Sequence, residues 1–120
     1  MNPFTTPDKI FISRTPQDMR AGIQRLASCV TADFGRDPMD GSLYVFVSRD
    51  CQKVKMLRFD VNGFCMYYVR LCDDAGFKWT HAITGDVLLK VERRQLLWLL
   101  EGMDISAVQA AKPVAARQLL

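Results

Sequence analysis

The densest run of apolar positions lies between residues 43 and 71, LYVFVSRDCQKVKMLRFDVNGFCMYYVRL. Two segments rich in Val, Phe, Tyr, Met and Leu, residues 43–48 and 53–59, flank the polar loop Arg49-Asp50-Cys51-Gln52. That arrangement predicts a β-hairpin. On its second strand Val54 and Met56 fall on one face and Lys53 and Lys55 on the other, while Arg58 breaks the alternation on the Val54 side. Asp60-Val61-Asn62-Gly63 is a turn signal. The segment after it has two readings. Phe64, Tyr67, Tyr68 and Leu71 recur at helical spacing, which favours a helix closed by Gly76, whereas the aromatic content suits a third strand.

Around this nucleus the pattern is simpler. Ile10-Phe11-Ile12 predicts a short strand able to add one edge to a sheet. Thr15-Pro16-Gln17-Asp18 predicts a helix start, with Thr15 at the N-cap, Pro16 in the first turn and Asp18 as the acid of a capping box. Met19, Ile23, Leu26, Ala27, Val30 and Phe34 then form one apolar stripe, and Gly35 ends the helix. Gly22 inside that helix costs about 1 kcal/mol relative to alanine, which a closely approaching backbone would explain. Residues 36–41 are turn-rich. Residues 77–79 and 87–91 predict short strands, and 92–103 a helix whose Leu96, Leu97, Leu99 and Leu100 make a broad apolar face. The expected fold is α+β: a small antiparallel sheet on a central hairpin, packed against two or three helices. Residues 9–105 form its one domain, between a loose tail at 1–8 and a weakly ordered one at 106–120.

Composition narrows the function. The chain has 120 residues, about half of them apolar, enough for a core without staples. Its net charge is +3, and residues 43–71 alone carry five basic against two acidic side chains, the same surplus. The four cysteines, at 29, 51, 65 and 72, show no C-x-x-C spacing, and His81 is the single histidine. No metal site and no cofactor are expected. No signal peptide or membrane-length apolar run is present, which points to a cytoplasmic protein with reduced thiols.

Little catalytic chemistry is available. Nucleophilic catalysis needs a base that an isolated His81 does not supply. Asp18, Asp60, Asp86 and Asp104 are candidate metal-binding carboxylates by count only. The glycines at 41, 63, 76 and 85 are isolated turn residues, not a phosphate loop. Arg49, Lys53, Lys55, Arg58 and Arg70 are candidates for phosphate contact on one exposed sheet face, and the rings of Phe64, Tyr67, Tyr68, Phe77 and Trp79 for base stacking or for the core.

A set of short motifs carries more. Asp18-Met19-Arg20-x-Gly22 is followed by Asp37-Pro38-x-x-Gly41-x-Leu43-x-Val45-Phe46 and by Lys55-x-Leu57-x-Phe59-Asp60-x-x-Gly63-Phe64. Then come Tyr68-x-Arg70-Leu71, Gly76-Phe77-x-Trp79 and Leu96-x-x-Leu99-Leu100-Glu101-Gly102-Met103-Asp104. In this order and spacing the chain, over roughly residues 10–104, resembles the small TnpB accessory proteins of the insertion sequence sixty-six family of bacterial mobile elements. They are unrelated to the RNA-guided nuclease of the same name. Three positions depart from the family pattern: Val69-Arg70 stands for Lys-Arg, Phe59-Asp60 for Trp-Asp, and Trp79-Thr80 for Trp-Pro.

The resemblance implies a non-enzymatic accessory factor of DNA transposition, acting beside a separate transposase of the same element. It implies no catalytic residues. Asp18, Gly22, Asp60 and Gly63 are structural punctuation in this reading, and Arg20, Lys55 and Arg70 candidate contacts. With the basic hairpin, the candidate surface for DNA or partner is Arg20, Arg49, Lys53, Lys55, Arg58, Arg70, Lys78 and Trp79. The expected partners are element DNA and the transposase, with no membrane. The alternative is a protein–protein adaptor that docks its partner on the helix at 92–103.

Overall fold

The computed structural model describes residues 9–71 and 87–101. These form β1 (Ile10–Ser13), α1 (Ile23–Ala32), β2 (Leu43–Val47), β3 (Lys53–Asp60), β4 (Gly63–Arg70), β5 (Leu88–Val91) and α2 (Arg93–Leu100). The five strands make one sheet in the order β4-β3-β2-β1-β5. The expected strand and helix at 87–103 are present over the described residues, and the hairpin at 43–59 forms as β2 and β3. The expected strand at 77–79, the far end of the last helix and both tails lie outside the described residues.

The sheet is mostly antiparallel. β2–β3, β3–β4 and β1–β5 pair antiparallel, whereas β1 and β2 pair parallel, Ile10 against Leu43 and Ile12 against Val45. A parallel pair needs a crossover, and the α1-containing connection supplies it. β1 is therefore an inner strand between β2 and β5, not the edge that its short apolar run suggested. Flanked on both sides, it buries all four residues.

Both faces of the sheet are covered, as in parallel sheets that read as unbroken apolar runs. One face packs Ile10, Ile12, Leu43, Val45, Val47, Val54, Met56 and Val91 against Leu96 and Leu99 of α2. The other packs Phe11, Tyr44, Phe46 and Leu57 against Leu26 and Val30 of α1. Each of those fully buried aliphatic side chains contributes about 1.5–3 kcal/mol relative to an exposed one. α2 starts at Glu92 in a reciprocal capping box: the Glu92 side chain accepts from the Gln95 N–H, and Gln95 Oε1 accepts from the Glu92 N–H at 2.8 Å.

Two expectations about local structure are overturned. Residues 63–70 are strand β4, not a helix: all eight pair with β3 across the tight turn at Val61-Asn62. The spacing of Phe64, Tyr67 and Tyr68 is equally that of a strand exposing alternate faces, and only the partner strand distinguishes the two. The first helix starts at Ile23, not near Thr15, with Gly22 as its N-cap. The apolar stripe of α1 is as expected, with Met19 packed on the same cluster from outside the helix. Gly22 has no backbone close against it; a Cβ there would meet nothing within 4 Å. At the other end Gly35, at φ +64°, turns the chain so that the Arg36 N–H returns to the Val30 carbonyl at 3.1 Å.

Candidate functional site

Residues 15–22 escape the helix because other partners hold them. The Gln17 N–H donates to the Val47 carbonyl at 2.9 Å, so the segment is pinned to the end of β2. Asp18 Oδ1 accepts the Arg20 N–H at 2.9 Å, a local turn that competes with helix formation. The Arg20 guanidinium then closes on the same carboxylate at 2.8 Å. Its hydrogen bonds hold the Asp18 carboxyl at about 2, below the ordinary 3.8. Asp18 is thus a turn-builder, not the acid of a capping box, and Arg20 stands out from it with 91% of its side chain exposed.

The β2–β3 loop forms the facing wall. Asp50 organises it: Oδ1 accepts from the Ser48 hydroxyl at 2.6 Å and from the Gln52 N–H at 3.0 Å. Those bonds, the Ser48 one foremost, lower the Asp50 carboxyl below its usual range. Lys53 reaches the same carboxylate at 3.6 Å. Arg49 is exposed at the loop's outer corner. Cys51 takes a left-handed conformation, φ +58°, to complete the turn.

Between these walls lies a groove of about 580 Å³, lined by Gln17, Asp18, Arg20, Arg49, Lys53 and Tyr68 among others. It occupies the corner of the α1 face where the helix no longer covers β3 and β4. Lys53 stands directly opposite Arg70 in the strand register, and Lys55 opposite Tyr68. Tyr68 is 52% exposed. Neither Arg49 nor Arg70 has a carboxylate within ion-pair distance among the described residues.

The single exposed basic sheet face expected from the hairpin does not form. Lys55 is buried: its ammonium donates to the Ala21 carbonyl at 2.9 Å and lies 5.6 Å from the centre of the Tyr68 ring. The sequence pattern implied a solvated face, but residues 17–22 lie over it. A buried ammonium is tolerated there because a carbonyl receives it. Arg58 is buried too, on the opposite face with Val54 and Met56, where its break in the alternation placed it. The groove brings together Arg20, Arg49 and Lys53, with Arg70 beside Lys53, and leaves out Lys55 and Arg58. Lys78 and Trp79 lie outside the described residues, as does His81. Sequence reasoning assigned Asp50 and Gln17 no role; the short Ser-x-Asp-x-Gln turn signal at 48–52 was the available cue for the first.

Away from the groove, Arg36, Asp40 and Tyr44 form a structural knot. The Tyr44 hydroxyl donates to Asp40 at 3.0 Å, Arg36 donates to that hydroxyl at 3.1 Å, and its guanidinium lies 4.1 Å over the Phe11 ring. Cys29 is no candidate nucleophile: burial first, and then the Asp33 carboxylate at 3.1 Å, push its thiol up to about 12. Among the described residues no three metal-binding side chains gather, and no helix is long and apolar enough to cross a membrane.

The fold and this corner define a small α+β domain that offers charge, hydrogen bonds and one open ring to a ligand. The chain belongs to the family described as IS66 Orf2 like protein, whose pattern matches residues 8–110. A similar curated protein is the uncharacterized protein y4hO of Sinorhizobium fredii, 33% identical over 96 residues, which are 80% of this chain and 81% of that one. No solved structure matches the chain. Membership implies a role in insertion-sequence transposition, within a family that is accessory and non-catalytic.

Proposed function

We propose that the protein is a non-catalytic accessory factor that binds DNA of its own insertion sequence, in the cytoplasm, in support of that element's transposase. The observation that supports DNA contact is the gathering of Arg20, Arg49 and Lys53 in one groove, with Arg70 opposite Lys53 in the strand register and Arg25 on the adjoining surface. Two of these cations are already held by Asp18 and Asp50, so Arg49 and Arg70 carry most of the attraction for phosphate. Arg49 lines the groove and Arg70 stands opposite Lys53 in the strand register.

A mobility-shift series on element-end DNA in increasing salt tests this reading. Removing one cation that neutralises a phosphate flattens the log–log salt slope by about 0.9 on duplex and about 0.7 on single strands. An Arg49/Lys53/Arg70 triple alanine variant should therefore show a slope shallower by about 2 to 3. Equal slopes for variant and parent would remove the groove from the mechanism.

The adaptor alternative has less surface to work with. Leu96 and Leu99, the centre of the expected docking face, are fully buried in the core. A partner at α2 would have to meet Leu97 and Trp98, which are half-buried. Pull-down of the transposase with and without nuclease separates the two: a complex that survives digestion is held by protein, and one that disappears was bridged by DNA.

A further inference from the structure

We infer that the groove takes an unpaired DNA strand, with one base stacked on Tyr68 and the neighbouring phosphates on Arg49 and Arg70. This rests on the DNA-binding reading above and adds which form of DNA the site accepts.

The argument begins with the ring. Tyr68 is the one large aromatic residue of β4 that the fold leaves more than half exposed; Phe64, Tyr67 and their neighbours pack on one core or the other. Its position is fixed from beneath. β4 is paired to β3 along its whole length, and the Lys55 ammonium, itself anchored on the Ala21 carbonyl, sits 5.6 Å from the ring centre. The remaining surface of the residue opens into the groove. A fixed ring with cations around it is the arrangement that single-strand binders use, because every base has a face to stack and every linkage a phosphate to neutralise.

The size and shape of the site favour an unpaired strand over a duplex. At about 580 Å³ the groove is a shallow, open depression rather than an enclosing cavity. That scale suits individual nucleotides. In a duplex both faces of each base are already stacked, so an aromatic ring at the surface finds no free base face and meets only the backbone. Nor do the described residues set a basic helix beside the site to enter the major groove: α1 carries a single cation, Arg25, and Arg93 and Arg94 belong to α2, which packs on the other face of the sheet. The two groove carboxylates do not repel the strand freely, since Asp18 is closed by Arg20 and Asp50 by Lys53.

The test measures binding of the full chain to a fluorescein-labelled 20-nucleotide strand and to the blunt duplex of the same sequence, at matched salt. Stacking of one base corresponds to about 5- to 160-fold in affinity. The strand should bind at least several-fold tighter than the duplex. Tyr68→Leu, which keeps an apolar partner for the Lys55 stem, should erase that preference, whereas Tyr68→Phe should keep it. Arg49→Ala and Arg70→Ala should weaken both forms. Photocrosslinking the unaltered protein to a strand carrying 5-iodouracil gives a readout independent of variant folding, and the adduct should map to Tyr68. Equal or tighter duplex binding, with Tyr68→Leu neutral and crosslinks elsewhere, overturns the stacked-base inference and leaves DNA binding standing. No binding to either form overturns the DNA reading itself.

Discussion

Replacing Lys55 by methionine distinguishes a buried tie from a surface cation. The ammonium donates to the Ala21 carbonyl at 2.9 Å across 34 residues of sequence, in a site that is 8% exposed. Ala21 immediately precedes the N-cap of α1, so this bond fastens the 17–22 segment and the start of the helix to β3. A hydrogen bond from a charged donor is worth about 1.5–3 kcal/mol net. The contact with Tyr68 adds about 0.5–1 kcal/mol. Methionine recovers part of this by burying a thioether of similar length, and it leaves the Ala21 carbonyl without its donor. The expected destabilisation is about 1–2 kcal/mol. For a domain of this size that lowers the melting temperature by roughly 3–10 °C. Urea unfolding followed by circular dichroism should show the midpoint falling with an unchanged slope, because the surface exposed on unfolding does not change. Arg20 should also become less ordered, and DNA affinity should fall although Lys55 touches no phosphate. A solvated surface lysine would change stability by no more than about 0.5 kcal/mol. A change within that limit would falsify the tie.

Three further outcomes follow from other parts of the molecule. Val61 sits in the β3–β4 turn at φ +45° and 88% exposed, a conformation that costs an L-residue about 1–2 kcal/mol. Val61→Asn should stabilise the protein by about 1 kcal/mol in urea titration, and a neutral or destabilising result would mean that the turn is not strained. The Asp18 carboxyl, held at about 2 by Arg20, should titrate there by carbon-detected NMR and return toward 3.8 in Arg20→Ala. Because its folded value is depressed, the Arg20 pairing is complete above the ordinary carboxylate range and disappears as pH falls through about 2; an unshifted midpoint would show that the pair does not form in solution. Cys29, pushed up to about 12, should be the slowest of the described cysteines to react with iodoacetamide at pH 8 by mass spectrometry. Equal rates at Cys29, Cys51 and Cys65 would contradict its burial against Asp33.

Much of the fold was legible along the chain. The β2–β3 hairpin, the apolar stripe of α1, the strand and helix at 88–100, and the turn at residues 60–63 all follow from local spacing and turn chemistry. So did the family, through short motifs read in order along the chain. The misreadings share one cause. β4 imitates a helix because one strand's periodicity carries no record of its partner, and eight pairs with β3 decide the matter. β1 reads as an edge because four residues do not reveal that β5, far along the chain, pairs on its other side. Thr15-Pro16-Gln17-Asp18 reads as a helix start because the propensity of that string is local, whereas Val47 and Lys55, which tie residues 17–21 down outside the helix, are distant.

The candidate site divides in the same way. The sequence by itself determined that positive charge concentrates between residues 43 and 71 and that no local motif ties the single histidine, His81, to a cysteine. Tertiary structure alone decided which cations reach solvent. Alternation assigns side chains to two faces of a strand, but whether a face is wet depends on what the rest of the chain lays over it. Here α2 covers one face and α1 with residues 17–22 most of the other, so Lys55 and Arg58 went inside, and an uncovered corner left Arg20, Arg49, Lys53 and Tyr68 around a groove, with Arg70 opposite Lys53 in the register.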